Sequence, residues 1–368
     1  MATIAQPRSD ERVREISLTK KLLQRPELGA IAGTILVFAF FLIVASSKGM
    51  FTPKGILNFL EVSAQLGIVA VAAALLMIGG EFDLSVGSMI GFAGVCIAIP
   101  AVQYGWPIWA CILFAFAVAL VVGWINGTLV VTTGLPSFIV TLGGLFILRG
   151  LTIGITRAMT GRTQIPGLKE PASQDWLAPW FGGEAFGGLF AWLADAGWIG
   201  KLPNGAPSVT GVPMSIVWWL VLTAAATWLL MRTKFGNWIF ASGGDANAAR
   251  NVGVPVRRVK TILFIFTAVC AAIFATCQVM TYGSADTQRG LLKEFEAIIA
   301  VVIGGTLLTG GYGSAIGSAF GALIFGTVQM GIFYTGVDTD WFKVFVGTMV
   351  LIAVMFNNHI RKKVTEAR

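Results

Sequence analysis

A single histidine, His359, is all the imidazole that this 368-residue chain contains. No His-based metal site or catalytic triad can be assembled from it. Charge is scarce as well: Asp, Glu, Lys and Arg make up 12% of the residues, about half the roughly 25% of soluble globular domains. The four cysteines, Cys96, Cys111, Cys270 and Cys277, all fall in apolar stretches without metal-type spacing, so they read as small hydrophobes. There is no Gly-x-x-x-x-Gly-Lys-Ser/Thr run, so the chain has no P-loop of its own. Without a nucleophile-and-base constellation, an enzyme acting covalently on a substrate is not expected.

What the chain has in place of charge is hydrocarbon: 56% of the residues are hydrophobic and the mean hydropathy is +0.79. A bilayer core about 30 Å thick needs roughly 20 mostly apolar residues per helical crossing. Such runs predict ten spans, near 28–45, 60–79, 86–103, 107–131, 136–155, 214–231, 260–282, 295–310, 314–335 and 341–357. The stretch 295–323 is glycine-rich enough for its break to be a re-entrant bend. The expected fold class is all-α, a polytopic membrane helix bundle over 28–357 with tails at 1–27 and 358–368.

The net charge of +8 does not gather into a basic face with interleaved aromatics, so nucleic acid is not the expected partner. The basic residues report topology instead. The first 27 residues carry Arg8, Arg12, Arg14, Lys20, Lys21 and Arg25 and no apolar run, which makes them neither a signal peptide nor a span. The loop after the sixth span holds Arg232, Lys234, Arg250, Arg257, Arg258 and Lys260, and the C-terminal tail holds Arg361, Lys362, Lys363 and Arg368. Ten spans put these three segments on one side, the cytoplasmic one by the positive-inside rule, with both termini. The long segment 157–213 then lies outside. Its Trp176, Trp180, Trp192 and Trp198 predict a hairpin or helix lying on the outer membrane surface, either a docking site for a partner or a lid packed on the bundle.

Several segments hold groups that hydrocarbon penalises. The run 79–88 sets Glu81, Asp83, Ser85 and Ser88 between two apolar stretches. It is either a broken helix on a solute path or a tight inner turn whose serines cap the next helix. Arg149 needs a carboxylate, for which Glu81 and Asp83 are candidates, or a route to the surface. Asn58, Gln65, Asn126, Thr141, Gln278 and Gln329 can hydrogen-bond the hydroxyls of a polyol or simply join helices, and Phe92 and Phe146 can cover an apolar sugar face. Gly87-Ser88-Met89-Ile90-Gly91 and Gly313-Ser314-Ala315-Ile316-Gly317 echo each other, as repeated halves or as convergent small-residue packing. In the inner loop, Asp245 or Asn247 can cap a short helix that Gly253 and Pro255 end. Such a helix serves to dock another protein or to track anionic lipid.

Four ordered motifs, Gly-Gly-Glu-Phe-Asp-Leu-Ser-Val-Gly-Ser at 79–88, Leu-Pro-Ser-Phe-Ile-Val-Thr-Leu-Gly-Gly at 135–144, Ser-Gly-Gly-Asp-Ala-Asn-Ala-Ala-Arg at 242–250 and Val-Ile-Gly-Gly-Thr at 302–306, make the chain resemble the ribose/xylose-type ABC permeases over roughly 55–357. The resemblance implies a bacterial inner-membrane permease, paired as a homodimer with a cytoplasmic ATPase and a periplasmic sugar-binding protein. ATP would be used by the partner and no cofactor bound by this chain. It also implies that 242–253, with Gly243, Gly244, Asp245, Asn247, Ala248, Ala249, Arg250 and Gly253, couples to the ATPase within an inner loop spanning 232–259. Glu81, Asp83, Ser85, Ser88, Asn126, Phe146 and Gln278 are the candidate pathway residues. The chain departs from the family in Glu81-Phe82, where an aliphatic residue is common, and in its long 157–213 segment. A proton- or sodium-driven carrier with Glu81, Asp83 and Arg149 as relay is the competing reading.

Overall fold

The computed structural model describes residues 26–338 and 340–348, with 351 and 355. The tail expectations for 1–25 and 358–368 lie outside these residues, as does His359, and so does most of the last expected span beyond 348. Among the described residues, eight helices are long and apolar enough to cross a membrane. In chain order they are α1 (Pro26–Val44), α2 (Pro53–Ile78), α3 (Val86–Tyr104), α4 (Ile108–Thr133), α5 (Ser137–Thr160), α9 (Met214–Arg232), α12 (Val256–Tyr282) and α14 (Ala315–Thr335). Proline marks where several begin: Pro53 opens α2, while Pro107, Pro136, Pro213 and Pro255 stand at the N-caps of α4, α5, α9 and α12. The fixed φ of proline and its missing N–H cost nothing at a helix start. Glycine in the left-handed conformation ends α3, α4, α5, α12 and α14, at Gly105, Gly134, Gly161, Gly283 and Gly336.

Helices α2 and α12 form the centre, with 83% and 72% of their apolar windows buried, whereas α5 buries 17%. A helix that is apolar all round and enclosed on most sides needs neighbours that approach closely, and small residues allow this. Gly123 and Gly127 of α4 lie against the α12 backbone at Ile265 and Thr261, where a Cβ would come within 2.6 and 2.7 Å of their Cα atoms. Gly326 of α14 is seated on Ser63 of α2 in the same way. Ser63 and Thr276 turn their hydroxyls back on the carbonyls of Phe59 and Ala272, which hides each hydroxyl within its own helix.

The expected eighth span is not a continuous helix. After α12 the chain forms the short strand β4 (Ser284–Asp286), a turn, and then α13 (Lys293–Ile303), whose 11 residues are too few to cross alone. The extended part runs beside α3: a Cβ on Gly94 would touch Ala285, one on Gly91 would meet the Arg289 carbonyl, and one on Gly87 the Gly290 carbonyl. Glycines at 304 and 305 then stop α13 because its carbonyl-terminal turn closes on itself, with Gly304, Gly305 and Thr306 donating to Ala300, Val302 and Val301. The end of α2 closes identically, with Gly79, Gly80 and Glu81 donating to Leu75, Met77 and Leu76. Gly80 and Gly305 adopt φ of 82° and 87°, a region that a Cβ disfavours. The sequence echo is thus longer than the five residues first noticed, extending back to Ile78-Gly79-Gly80 and Ile303-Gly304-Gly305.

The segment 161–213 is built from small pieces: β1 (Gln164–Pro166), α6 (Lys169–Ser173), α7 (Pro179–Gly182), β2 (Glu184–Ala185), α8 (Gly187–Asp195) and β3 (Val212–Pro213). β1 pairs antiparallel with β4 and β2 with β3. Asp175 ties the segment to the bundle by accepting from the Trp109 amide at the start of α4 (2.9 Å). Trp176, Trp180, Trp192 and Trp198 are all exposed, as side chains of an interfacial belt would be.

The packing makes a paired expectation. Gly326→Ala places a methyl against Ser63, while Gly154→Ala meets nothing within 4 Å. G326A should lower the thermal midpoint in detergent, in line with the ~1–3 kcal/mol cost of overpacking, and G154A should leave it unchanged or raise it. Equal midpoints for the two variants would contradict the α2–α14 contact.

Candidate functional site: the buried turns and the loop after α9

Between α2 and α3 the chain has to carry unpaired backbone amides through the interior of a helix bundle. Each buried donor without a partner is expensive in a low-dielectric medium. Helix α5 supplies the partners from one face: Ser137 Oγ accepts from Phe82 N–H (3.0 Å) and Thr141 Oγ1, one turn further on, accepts from Leu84 N–H (3.0 Å). The extended piece 81–84 therefore runs back along α5, and α3 starts inside the bundle with Ser85 against Gly144. The connection is a buried turn between two helices that are each long enough to cross, its amides taken by α5, and no serine side chain caps the helix that follows.

Asp83 organises this break. One carboxylate oxygen accepts from Ser85 N–H (2.9 Å) and Ser85 Oγ (2.6 Å), and the other accepts from Thr267 Oγ1 of α12 (3.0 Å). Asn126 of α4 then donates to Ser85 Oγ (2.9 Å). Asp83, Ser85 and Asn126 are all buried, so one lattice ties the break to α4 and α12. Ser85 does not cap α3 with its side chain, because its hydroxyl is given to Asp83. Ser88 is buried too, inside α3, and its hydroxyl has no hydrogen-bond partner among the described residues.

The expected pairing of Arg149 is corrected. Arg149 donates to the carbonyls of Thr287 (3.1 Å) and Arg289 (3.4 Å) in the extended stretch before α13, not to Glu81 or Asp83. Glu81 instead pairs with Lys260 near the start of α12, both side chains largely buried. The chain positions that settle this are 179 residues apart, and hydropathy has no information on which spans are neighbours. Two other pathway candidates also stand apart from the Asp83 lattice: Phe146 is 67% exposed on the outer face of α5, and Gln278 donates to Gln65 Oε1 (2.9 Å), joining α12 to α2.

The structure adds Glu294, which the sequence reading passed over. It is buried in the first turn of α13, and its Oε2 has no hydrogen-bond partner among the described residues. Gly87 leaves room for it, since a Cβ there would fall on the carboxylate. With Asp83, Thr267, Met77, Phe82 and Ile298, Glu294 lines a cavity of about 10 Å³, the space of about one water. The signal for it was an acidic pair, Glu294 and Glu296, at the mouth of a glycine-rich apolar run.

At the inner loop, α10 (Lys234–Gly244) and α11 (Ala246–Asn251) are joined at Asp245. Asp245 caps α11 as expected, its Oδ1 accepting from Asn247 N–H (2.9 Å) and Ala248 N–H (3.0 Å). Gly253, at φ 87°, follows the helix end, and Arg250 donates to Asn247 Oδ1 (2.9 Å). Gly244, Asp245, Asn247, Ala248, Arg250 and Gly253 are exposed, whereas Ala249 is buried and Gly243 faces the bundle. The two sides of this eight-residue candidate set therefore have different work. Val252, 80% exposed beside them, is an apolar contact that sequence reasoning missed because α11 is too short to show a periodic face.

The lattice predicts an order of stability losses. Asp83→Ala leaves Ser85 N–H and Ser85 Oγ without their acceptor, while Thr267→Val removes a hydroxyl whose proton is shared between Asp83 (3.0 Å) and the Phe264 carbonyl (2.8 Å). Hydrogen bonds to a charged group contribute about 1.5–3 kcal/mol each, so D83A should unfold in detergent at a clearly lower temperature than T267V. A D83A midpoint at or above that of T267V would show that Asp83 is not the organising group.

Comparison of the sequence with known proteins gives the family. A family profile described as the permease component of the branched-chain amino acid transport system matches residues 55–354. The chain is similar to the xylose transport system permease protein XylH of Escherichia coli K12, 32% identical over 90% of this chain and 92% of that protein. It is also similar to the ribose import permease protein RbsC of the same organism, 30% identical over 85% of this chain and 88% of the relative. The inner membrane ABC transporter permease protein YjfF is 29% identical over 87% and 88%. No solved structure matches. By its matched profile and its relatives, the chain belongs to the ribose/xylose-type family of ABC-importer permeases, multi-helix proteins of the inner membrane.

Proposed function

We propose that the chain is the membrane-spanning subunit of an ABC importer for a monosaccharide or a closely related polyol, translocating it by alternating access. Its relatives named for xylose and ribose support the substrate class. The observation that carries the mechanism is the inner loop: a short capped helix, exposed on one side at Asn247, Ala248, Arg250 and Val252 and seated on the other through buried Ile239, Ser242 and Ala249. A helix held in this manner can receive a push from a cytoplasmic ATPase and pass it to the spans behind it. ATP is then consumed by the partner, and this chain binds no cofactor. A periplasmic sugar-binding protein delivers the solute to the outer side, where 161–213 and its exposed tryptophans lie.

In this reading the chain crosses the membrane ten times and both termini are cytoplasmic. The eighth crossing is the extended stretch from β4 followed by α13, and the tenth falls within 341–357. Support comes from where the ends of α13 and α14 lie: Gly311 N–H donates to the carbonyl of Ile78 at the inner end of α2 (2.8 Å), and Lys48 reaches the Thr335 carbonyl at the outer end of α14 (2.6 Å). The permease works as a homodimer, with the sparsely buried α5 and its outward Phe146 turned toward the second copy. Asp83, Ser85, Ser88 and Asn126 line the break that opens and shuts, and Glu81 holds it through Lys260. An ion-driven relay through Glu81, Asp83 and Arg149 loses its basis, because the three bind different partners.

The test is uptake in liposomes by the purified chain with and without its cytoplasmic ATPase and receptor, using labelled pentoses, hexoses and polyols. Uptake is expected only with ATP and both partners. Uptake by the chain alone on a proton or sodium gradient would overturn the proposal. Ala248→Glu and Val252→Asp, both on the exposed side, should reduce uptake with the fold intact. Ala249→Glu is a poorer probe because Ala249 is 4% exposed and a charge there would disturb the seat.

A further inference from the structure

The sequence motif Ser242-Gly243-Gly244-Asp245 puts two glycines next to each other, and the structure gives them opposite surroundings. A Cβ on Gly244 would meet nothing within 4 Å. On Gly243 it would fall on the Ile78 carbonyl oxygen and lie 2.7 Å from the Gly311 nitrogen. Those two atoms are themselves joined, since Gly311 N–H donates to Ile78 O (2.8 Å). A methyl on Gly243 would therefore land on a backbone hydrogen bond that connects the end of α2 with the turn after α13.

The contact is mutual. A Cβ on Gly80 would come 3.2 Å from Gly243 Cα, and one on Gly310 would come 2.8 Å from both the Gly243 carbonyl oxygen and Gly80 Cα. One on Gly311 would approach Gly244 Cα at 2.7 Å. Backbone meets backbone here with no side chain between, and the three segments are the inner loop and the two turns that close in the same way. Contacts between such surfaces transmit displacement with little slack, because close-packed protein interiors are stiff. The Lys260–Glu81 ion pair adds a second tie from the start of α12, just beyond the loop, to the first turn.

We propose that Gly243 is the positioning residue of the coupling step: the joint at which a shift of α10–α11 moves both Gly-Gly turns, and with them the starts of α3 and α14, at the same time. Its neighbour Gly244 is free of this duty. Gly243 thus acts toward the bundle, and the exposed side of α11 acts toward the ATPase. The inference rests on the ABC-permease reading of this loop.

The experiment uses the assembled transporter of permease, ATPase and receptor in liposomes, and reads sugar uptake and ATP hydrolysis together. Gly243→Ala should hydrolyse ATP but lose about tenfold in uptake per ATP, equivalent to ~1.4 kcal/mol between the inward and outward states. Gly29→Ala in α1, where a Cβ also meets nothing within 4 Å, should match the unaltered protein. Uptake per ATP in G243A within about twofold of the unaltered protein, on the same tenfold-per-1.4 kcal/mol scale, would overturn the proposal. Should G243A fail to assemble, amide hydrogen exchange on the unaltered complex decides. Peptides covering 76–82, 240–246 and 304–313 should change protection together when ATP binds, and a change in 240–246 with only one turn following would overturn it. Absence of ATP-dependent uptake in the unaltered complex would instead strike the permease reading, so the two failures are distinguishable.

Discussion

A backbone that leaves the helical state inside hydrocarbon must find partners for every amide it frees, and the architecture follows from how two such breaks are satisfied. At 79–85 the freed amides of Phe82 and Leu84 are taken by hydroxyls of α5, and the Ser85 amide by Asp83. At 304–314 the Gly311 amide is taken by the Ile78 carbonyl at the other break. Each break is thus completed by something outside itself. This makes α2, α3, α5, α12 and α14 mutually dependent: the polar side chains are where they are because a break needs them.

The same requirement explains how a nearly uncharged bundle tolerates buried charge. Asp83 has three donors, Glu81 has Lys260, and Arg149 has two carbonyls of the extended stretch before α13. Glu294 is the exception, with one oxygen unpartnered among the described residues beside a cavity of about one water. The Glu81–Lys260 pair is costly to separate, since each ion alone in a low-dielectric site is far worse off than in water, and the hydrogen bonds of Asp83 and Arg149 are costly to break for the same reason. They therefore favour a small number of discrete arrangements over gradual deformation, which is the behaviour expected of an alternating-access machine.

The two ends of α9 carry segments of different build. Ahead of it, 161–213 is a set of short helices and two-residue or three-residue strands, anchored by Asp175 and by Trp218, which stacks on Phe181 at 5.3 Å and donates to the Trp180 carbonyl. Behind it, the loop of α10 and α11 is short, capped and pressed against two turns through bare backbone.

The spans of the bundle were legible in the sequence because a crossing helix must show about 20 apolar residues in one run, a local property of the chain. For the same reason the cap at Asp245 and the stop at Gly253 could be read directly: each depends on residues a few positions apart. The family was legible through four ordered motifs. The partners of Glu81 and Arg149, the role of Thr267, the burial of Glu294 and the shortening of the expected eighth span to α13 were not. They depend on which helices are neighbours, and in a bundle whose spans are all apolar, hydropathy is nearly the same for every pairing. The different surroundings of Gly243 and Gly244 make the point most sharply, because the two residues are identical and adjacent, and only on the Cβ side of Gly243 do Ile78 and Gly311 close the space. The sequence alone determined the kind of solvent the chain lives in and roughly where most of its long helices lie; the tertiary structure decided which polar groups meet, since that is set by packing between segments far apart in the chain, 179 residues for Glu81 and Lys260.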